Sequence, residues 1–160
     1  MRRVAGQLQV QPSALYHHVS DKQTLLALMA DRIVQDVTAA PEGSVAQRAA
    51  SLCRELRDAL LSIRDGAEVV ATASAFRLGA SQVESDLADL VGVDAARTLL
   101  LFVFGQSQAT QTHRMASSVG AIPADDDLDA SFERGLAIVL RGIETDMLPE
   151  QHRQVDKAQV

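Results

Sequence analysis

A chain of 160 residues in which 47% are hydrophobic and 22% are charged can bury one medium-sized core, which excludes a disordered polypeptide. The net charge of −6 is uneven, since residues 1–22 carry +2 and residues 23–160 carry −8, so a nonspecific nucleic-acid coat is excluded while a local DNA contact at the front is allowed. The lone Cys53 excludes an internal disulfide, and no secretory signal or membrane-spanning run is recognisable, so we expect a cytoplasmic protein without membrane contact.

The front of the chain predicts three helices in succession. Apolar residues recur at helical spacing over residues 2–9, and the segment 10–12 ends that helix. A second short helix is expected over residues 13–18, with Pro12 at a position that tolerates proline. Ser20 and Gln23 have the spacing of a capping box and open a long helix to about residue 38. Residues 39–43 contain Pro41 and Gly43 and mark a domain boundary.

The remainder predicts a helical body. A capping box at Ser44 and Gln47 opens an amphipathic helix ending near Gly66, followed by one or two turns over residues 67–73. Further helices are expected at about residues 81–92, 95–117 and 129–147. The solvent side of the first body helix is expected to carry its charged residues, namely Arg48, Arg54, Glu55, Arg57 and Asp58.

The last two helices predict a partner chain. Residues 99–104 are apolar on every side of their helix, and such a helix needs burial all round. Gly135 and Gly142 lie seven residues apart, so we expect another helix backbone to approach them closely. The sequence therefore predicts an all-α homodimer whose interface contains Phe104, Phe132, Gly135, Val139 and Gly142.

Three segments follow from these boundaries. Residues 1–38 form an N-terminal unit with its linking helix, residues 44–148 form the ligand-binding and dimerisation body, and residues 149–160 form a flexible tail. The first segment has the order of a helix-turn-helix, in which the second helix enters the DNA major groove with its first residues at the base edges. Those residues here are Gln11, Pro12, Ser13 and Ala14. Phosphate contacts are expected from Tyr16, His17, His18 and Lys22, with Arg2 added from the preceding helix.

The same residues resemble the TetR family of bacterial repressors. The pattern consists of Val4-Ala5, Leu8, Val10, Ser13-Ala-Leu-Tyr16, His18-Val19, Lys22 and Leu25-Leu26. The body resembles the tetracycline-repressor branch at Ala59-Leu-Leu-Ser-Ile-Arg-Asp-Gly-Ala67, Pro41-Glu-Gly43 and Phe132-Glu-Arg-Gly-Leu136. The resemblance implies a TetR-like fold with a three-helix head, of which this chain lacks the first helix, so operator binding by the chain itself is in question.

The resemblance also implies where a ligand would sit. The metal-binding histidine and the two drug-gripping residues of tetracycline repressors are matched here by Val70, Leu52 and Leu56, which offer no metal ligands. We therefore expect no metal, no cofactor and a small apolar effector. The expected pocket is lined by Leu52, Leu56, Leu60, Val70, Leu99, Phe102 and Gln106, although a plain core is the alternative for the same stripe.

Three functions compete at this point. The first is a repressor that binds operator DNA and releases it when an effector occupies the body. The second is a dimeric small-molecule-binding protein that has lost DNA binding. The third, an enzyme, is disfavoured because no phosphate loop, zinc motif, nucleophile elbow or paired-carboxylate motif occurs.

Overall fold

The computed structural model describes residues 1–79 and 81–147. All secondary structure within those residues is helical, and the predicted all-α fold is confirmed. The helices are α1 (Arg2–Gln7), α2 (Pro12–His18), α3 (Lys22–Val34), α4 (Val45–Ser62), α5 (Gly66–Ala75), α6 (Ser81–Val91), α7 (Val93–Ser118) and α8 (Leu128–Met147).

Two helix starts test the predicted caps. At α4 the capping box is present, because the Gln47 N–H donates to Ser44 Oγ at 3.2 Å and the Ser44 N–H donates to Gln47 Oε1 at 2.8 Å. At α3 the prediction was wrong by one residue, since the cap is Asp21, which accepts from the Thr24 N–H at 2.7 Å. A carboxylate suits the positive end of a helix better than a hydroxyl. The same hydrogen bond holds the pKa of Asp21 below its usual value.

The core lies where α4 and α7 cross the other body helices. Its fully buried large side chains contribute roughly 1.5–3 kcal/mol each. Cys53 is also fully buried, and burial raises the pKa of its thiol to about 12, which fits the expected role of a small hydrophobe. The large residues of this core are Leu52, Leu56, Leu60, Val70, Leu87, Leu99, Val103, Phe132 and Leu136.

Gln111 of α7 fastens the corner between α4 and α5. Its Nε2 donates to the Leu60 carbonyl at 3.0 Å and to the Ile63 carbonyl at 2.7 Å. Its Oε1 accepts from the Ala67 N–H at 3.2 Å. One side chain thus hydrogen-bonds two carbonyls at the end of α4, of which that of Ile63 also accepts from the Gly66 N–H at 2.9 Å, and an amide that the start of α5 leaves free. These bonds fix the α4–α5 corner on α7.

Arginines of α4 connect it to α8. Arg54 makes a bidentate pair with Glu133 at 2.7–3.1 Å, and this pair lowers the pKa of Glu133. Arg57, expected on the solvent side, is instead buried. Its guanidinium lies 4.6 Å from the centre of the Phe132 ring and donates to Asp129 at 2.6 Å. The prediction for Arg57 was wrong because Phe132 and Asp129 of α8, remote in sequence, contact its guanidinium and offset part of the cost of burying it, while its buried Nε has no hydrogen-bond partner within the described residues.

The linking helix α3 packs on the body, chiefly against α5 and also against α4. Ala30, Val34 and the following Val37 are buried in the body core. The expected tail, residues 149–160, lies outside the described residues. Within the described residues, no helix combines the length and apolarity needed to cross a membrane.

Candidate functional site

The first candidate site is the surface of α2. Helix α1 ends in a turn with Gln9 in the left-handed region, φ 56°, and Gln11 then caps α2 in an extended conformation. This places Gln11 and Ser13 at the exposed N-terminus of α2, beside the half-buried Ala14. The short turn between two helices is the geometry that presents a second helix to a groove.

The expected phosphate-contacting residues are also accessible. Tyr16 is 51% exposed, and His17, His18, Lys22 and Arg2 are exposed as well. Tyr16, His17 and His18 lie on α2, Lys22 lies at the start of α3, and Arg2 lies on α1. The side chain of Pro12 lies outside the described part. Apart from Pro12 and the half-buried Ala14, the predicted DNA-contacting residues are therefore exposed, and their DNA contacts stay a prediction.

The predicted pocket residues belong mostly to the packed core. Leu52, Leu56, Leu60, Val70 and Leu99 are at most 1% exposed and pack in the single body core. Phe102 is half-buried and stacks on Phe132 with ring centres 5.5 Å apart. Gln106 is half-buried too, and the α7 amide that makes the inter-helix hydrogen bonds is Gln111. A ligand role for these seven residues stays a prediction, and none of them lines the cavity between α5 and α7.

A cavity of about 770 Å³ lies between the end of α5, the following turn and the middle of α7. Arg97 stands at its edge with Nε 3.8 Å from Glu84 Oε1. Arg77 contributes from the turn. The sequence did not predict a ligand contact for either arginine. Arg77 lies in a loop and Arg97 on a helix, and a single charged residue in either place is not typical of a ligand site. Its other walls include Ala71, Ala75, Gly79, Leu100, Leu101 and Phe104.

The turn after α5 is closely packed on the linking helix. A methyl group added at Gly79, whose φ is +71°, would lie 2.8 Å from the Ala27 carbonyl oxygen and 2.6 Å from Asp31 Oδ1. Both of those residues belong to α3. One turn thus forms a wall of the cavity on one side and contacts α3 on the other.

Three of the five residues predicted for the dimer interface, namely Phe104, Phe132 and Gly135, contact other parts of their own subunit. Phe132 is 1% exposed inside its own subunit, and Phe104 is buried. The expectation that a helix backbone fills the space at Gly135 was wrong, because the Phe102 ring of α7 fills it, 2.7 Å from the position of an added methyl group. Gly142 faces open space and Val139 is half-buried. Among the described side chains, the exposed large apolar residues of α7 and α8 are Val93, Leu101, Met115 and Ile138.

Comparison with known proteins gives consistent relatives. The chain is 31% identical to BioQ of Mycobacterium smegmatis, with a TM-score of 0.82 over 89% of this chain and 84% of that one. A crystal structure of BioQ with its double-stranded DNA operator is similar at 30% identity and TM-score 0.74, covering 89% and 83% of the two chains. The class A tetracycline repressor of transposon 1721 in Escherichia coli is 29% identical over 89% of this chain and 79% of its own length.

The chain belongs to the TetR family. No family model matches it, so the assignment depends on these relatives and on the fold they share. As a TetR-family protein it is a transcriptional repressor, and the predicted recognition and fold class are confirmed. The relatives are repressors and regulators, which agrees with the expectation that this TetR-family chain is not an enzyme.

Proposed function

We propose that this TetR-family repressor binds operator DNA through α2 as a homodimer and releases it when a small molecule occupies the body. The observation that carries the proposal is the exposed N-terminus of α2 joined, through α3, to a body that α3 contacts directly. BioQ, similar over 89% of this chain, has been crystallised with its double-stranded DNA operator. A relative named as a tetracycline repressor supports control by a small molecule.

The base and phosphate roles can be separated by two substitutions in the head. Gln11→Ala removes a group that can pair with a base edge, so we expect affinity for the cognate site to fall about 10- to 100-fold while nonspecific binding is unchanged. Lys22→Ala removes one phosphate contact, so affinity should fall for every sequence and the slope of log K against log salt should become less negative by about 0.9. Gel shifts with the DNA upstream of the gene, at several salt concentrations, measure both effects.

The matched control is Arg64→Ala, which removes an exposed positive charge from the body. Its affinity and salt slope should equal those of the unsubstituted protein. If all three variants bind like the unsubstituted protein, α2 and the start of α3 do not form the DNA-binding surface.

The homodimer is expected to use the exposed apolar residues of α7 and α8. Leu101 is 72% exposed and Ile138 is 62% exposed, and Ile138 lines the same surface groove as Thr98, which lies one turn before Leu101. Exposed aliphatic side chains on neighbouring helices are typical of a protein interface. The double substitution Leu101→Asp with Ile138→Asp should give a folded monomer by light scattering. Leu28→Asp, an equally drastic change at an exposed residue of α3, should leave the dimer intact, and a dimer from both proteins would contradict this interface.

A second candidate function is a dimeric small-molecule-binding protein without operator binding. The specific observation in its favour is the thin packing of residues 1–19, whose described side chains include one buried residue, Ala5. Val4, Leu8 and Val10 are exposed apolar residues in this segment. If light scattering shows an intact dimer and the same protein gives no gel shift with DNA, the result would favour this second function.

A further inference from the structure

The cavity beside the α5–α6 turn combines an apolar wall with two guanidinium groups. Leu100, Leu101 and Phe104 supply the wall from the middle of α7. Arg97 lies one turn before Leu101 on the same helix, and Arg77 lies on the turn that closes the cavity. Residues 23–160 carry a net charge of −8, so a site with two arginines and one glutamate is a local exception to the acidity of the body.

Arg77 occupies a backbone conformation that usually belongs to glycine. Helix α5 ends in a Schellman motif, in which the Arg77 N–H donates to Ser74 at 2.9 Å and the Leu78 N–H donates to Ala73 at 2.7 Å. Arg77 has φ 56°, whereas the same motif at the end of α7 contains Gly120 with φ 73°. The left-handed backbone conformation is less favourable for arginine than for glycine, so the presence of arginine at this position indicates a role for its side chain.

The Arg77 guanidinium lacks a partner within the part of the chain that the structure describes. Arg97, by contrast, has Glu84 at 3.8 Å and Asp94 at 4.0 Å. A guanidinium binds carboxylates through two parallel N–H groups, and an apolar wall beside it favours an anion that carries a hydrocarbon body. A volume of about 770 Å³ falls within the range of sites for small organic ligands.

We propose that this cavity is the effector site and that its ligand is a small amphipathic carboxylate. The carboxylate would bind Arg77, with Arg97 as the second cation, and the apolar chain or ring would lie on Leu100 and Phe104, while the more exposed Leu101 contacts the partner subunit in the proposed dimer. The nearby Glu84 disfavours a polyanion such as a nucleotide. The proposal rests on the repressor function and adds to it the chemistry of the effector.

The same turn gives the ligand a route to the head. Gly79 lines the cavity and abuts Ala27 and Asp31 of α3 so closely that an added methyl group would overlap both. A carboxylate that draws Arg77 toward Arg97 moves a turn that cannot shift without moving α3. A ligand that binds one position of α3 better than the other changes operator affinity, and by linkage the operator changes ligand affinity by the same factor.

Direct binding tests the site itself. Decanoate and 1-naphthoate serve as aliphatic and aromatic probes in calorimetric titrations of the full chain, with decanol and naphthalene-1-methanol as their uncharged counterparts. We expect at least one carboxylate to bind about tenfold or more tightly than its alcohol. Absence of binding by both carboxylates, or equal binding of carboxylate and alcohol, overturns the proposal.

Two substitutions at Arg77 separate a ligand contact from a structural role. Arg77→Gln removes the charge, and Arg77→Gly in addition relieves the left-handed backbone, so the glycine variant should melt at the same or a higher temperature than the unsubstituted protein. Both should bind the carboxylate about tenfold more weakly. Arg64→Gln, the same charge change at the opposite end of α5, should bind within about twofold of the unsubstituted protein. Equal affinity for all four proteins overturns the proposal.

Operator release tests the coupling separately. In a gel shift, saturating carboxylate should weaken operator binding by the unsubstituted protein about tenfold, and Arg77→Gly should need more ligand for the same effect. Binding that requires Arg77 but leaves operator affinity unchanged overturns the effector role. If the protein shifts no DNA at all, the repressor function fails, and the titrations alone decide whether the cavity binds carboxylates.

Discussion

Replacing Gly66 with alanine is expected to destabilise the protein by about 3 kcal/mol or more, a large share of the stability of a domain this size. The added methyl group would lie 2.4 Å from the carbonyl oxygen of Leu60, a distance at which backbone must move. That carbonyl cannot simply turn aside, because it accepts a hydrogen bond from Gln111 at 3.0 Å. The corner between α4 and α5 would therefore separate from α7, with loss of hydrogen bonds as well as packing.

Thermal unfolding followed by circular dichroism measures this effect. For a chain of this length, a loss of about 3 kcal/mol lowers the melting temperature by roughly 10 °C. The matched control is Gly142→Ala in α8, where an added methyl group meets no atom within 4 Å. That variant should be neutral or more stable by up to about 1 kcal/mol, because alanine favours the helix. If the two variants melt within a few degrees of each other, the Gly66 corner is not as tightly packed as described.

Replacing Gly79 with alanine is expected to lower both stability and operator affinity. The substitution forces a side chain into the left-handed region at φ +71° and places a methyl group 2.8 Å from the Ala27 carbonyl oxygen of α3. The conformational cost is about 1 kcal/mol, and the steric cost adds roughly 1–3 kcal/mol. Because α3 connects the body to the head, its displacement should weaken operator binding about tenfold even at temperatures where the protein stays folded.

Gly120→Ala isolates the conformational part of that effect. Gly120 has φ +73°, close to that of Gly79, but an added methyl group there meets nothing within 4 Å. We expect it to lose about 1 kcal/mol in urea unfolding and to bind the operator normally. Equal losses from the two variants in both assays would mean that the α5–α6 turn does not position α3.

The helices were predictable because their signals are local. The capping box at Ser44 and the predicted apolar stripe from Val45 to Ile63 depend on residues within one helix. The structure reproduces the capping box and buries the stripe between Ala49 and Leu60, whereas Val45 and Ile63 at its ends are exposed. The shift of the α3 cap from Ser20 to Asp21 is a competition between adjacent residues, which spacing alone does not resolve. Residues 67–73 were expected to form one or two turns, but α5 is longer, since its support comes from packing against α3 and α7.

The candidate site was predictable in the head and not in the body. Gln11, Tyr16 and Lys22 follow from a local helix-turn-helix pattern, and their exposure matches it. The cavity depends on which helices meet, so an arginine at a left-handed position and a glycine packed against α3 gave no sequence signal. Arg57 was mispredicted for the same reason, namely a dependence on helices that are remote in sequence. Its charge predicted an exposed side chain, whereas contacts with Phe132 and Asp129 of α8 bury it.

The sparse interior of the front segment has a consequence for affinity. With Ala5 as its one buried residue among the described side chains, the segment 1–19 gains little from its own contacts, so in the proposed repressor the operator would have to order this segment as well as contact it. Part of the binding free energy then offsets the conformational entropy that the segment loses on ordering. This weakens binding to noncognate DNA, which offers only phosphate contacts. A cognate sequence adds base contacts that offset this entropic cost. A DNA-binding segment with little packing of its own can therefore discriminate more strongly between cognate and noncognate sequences.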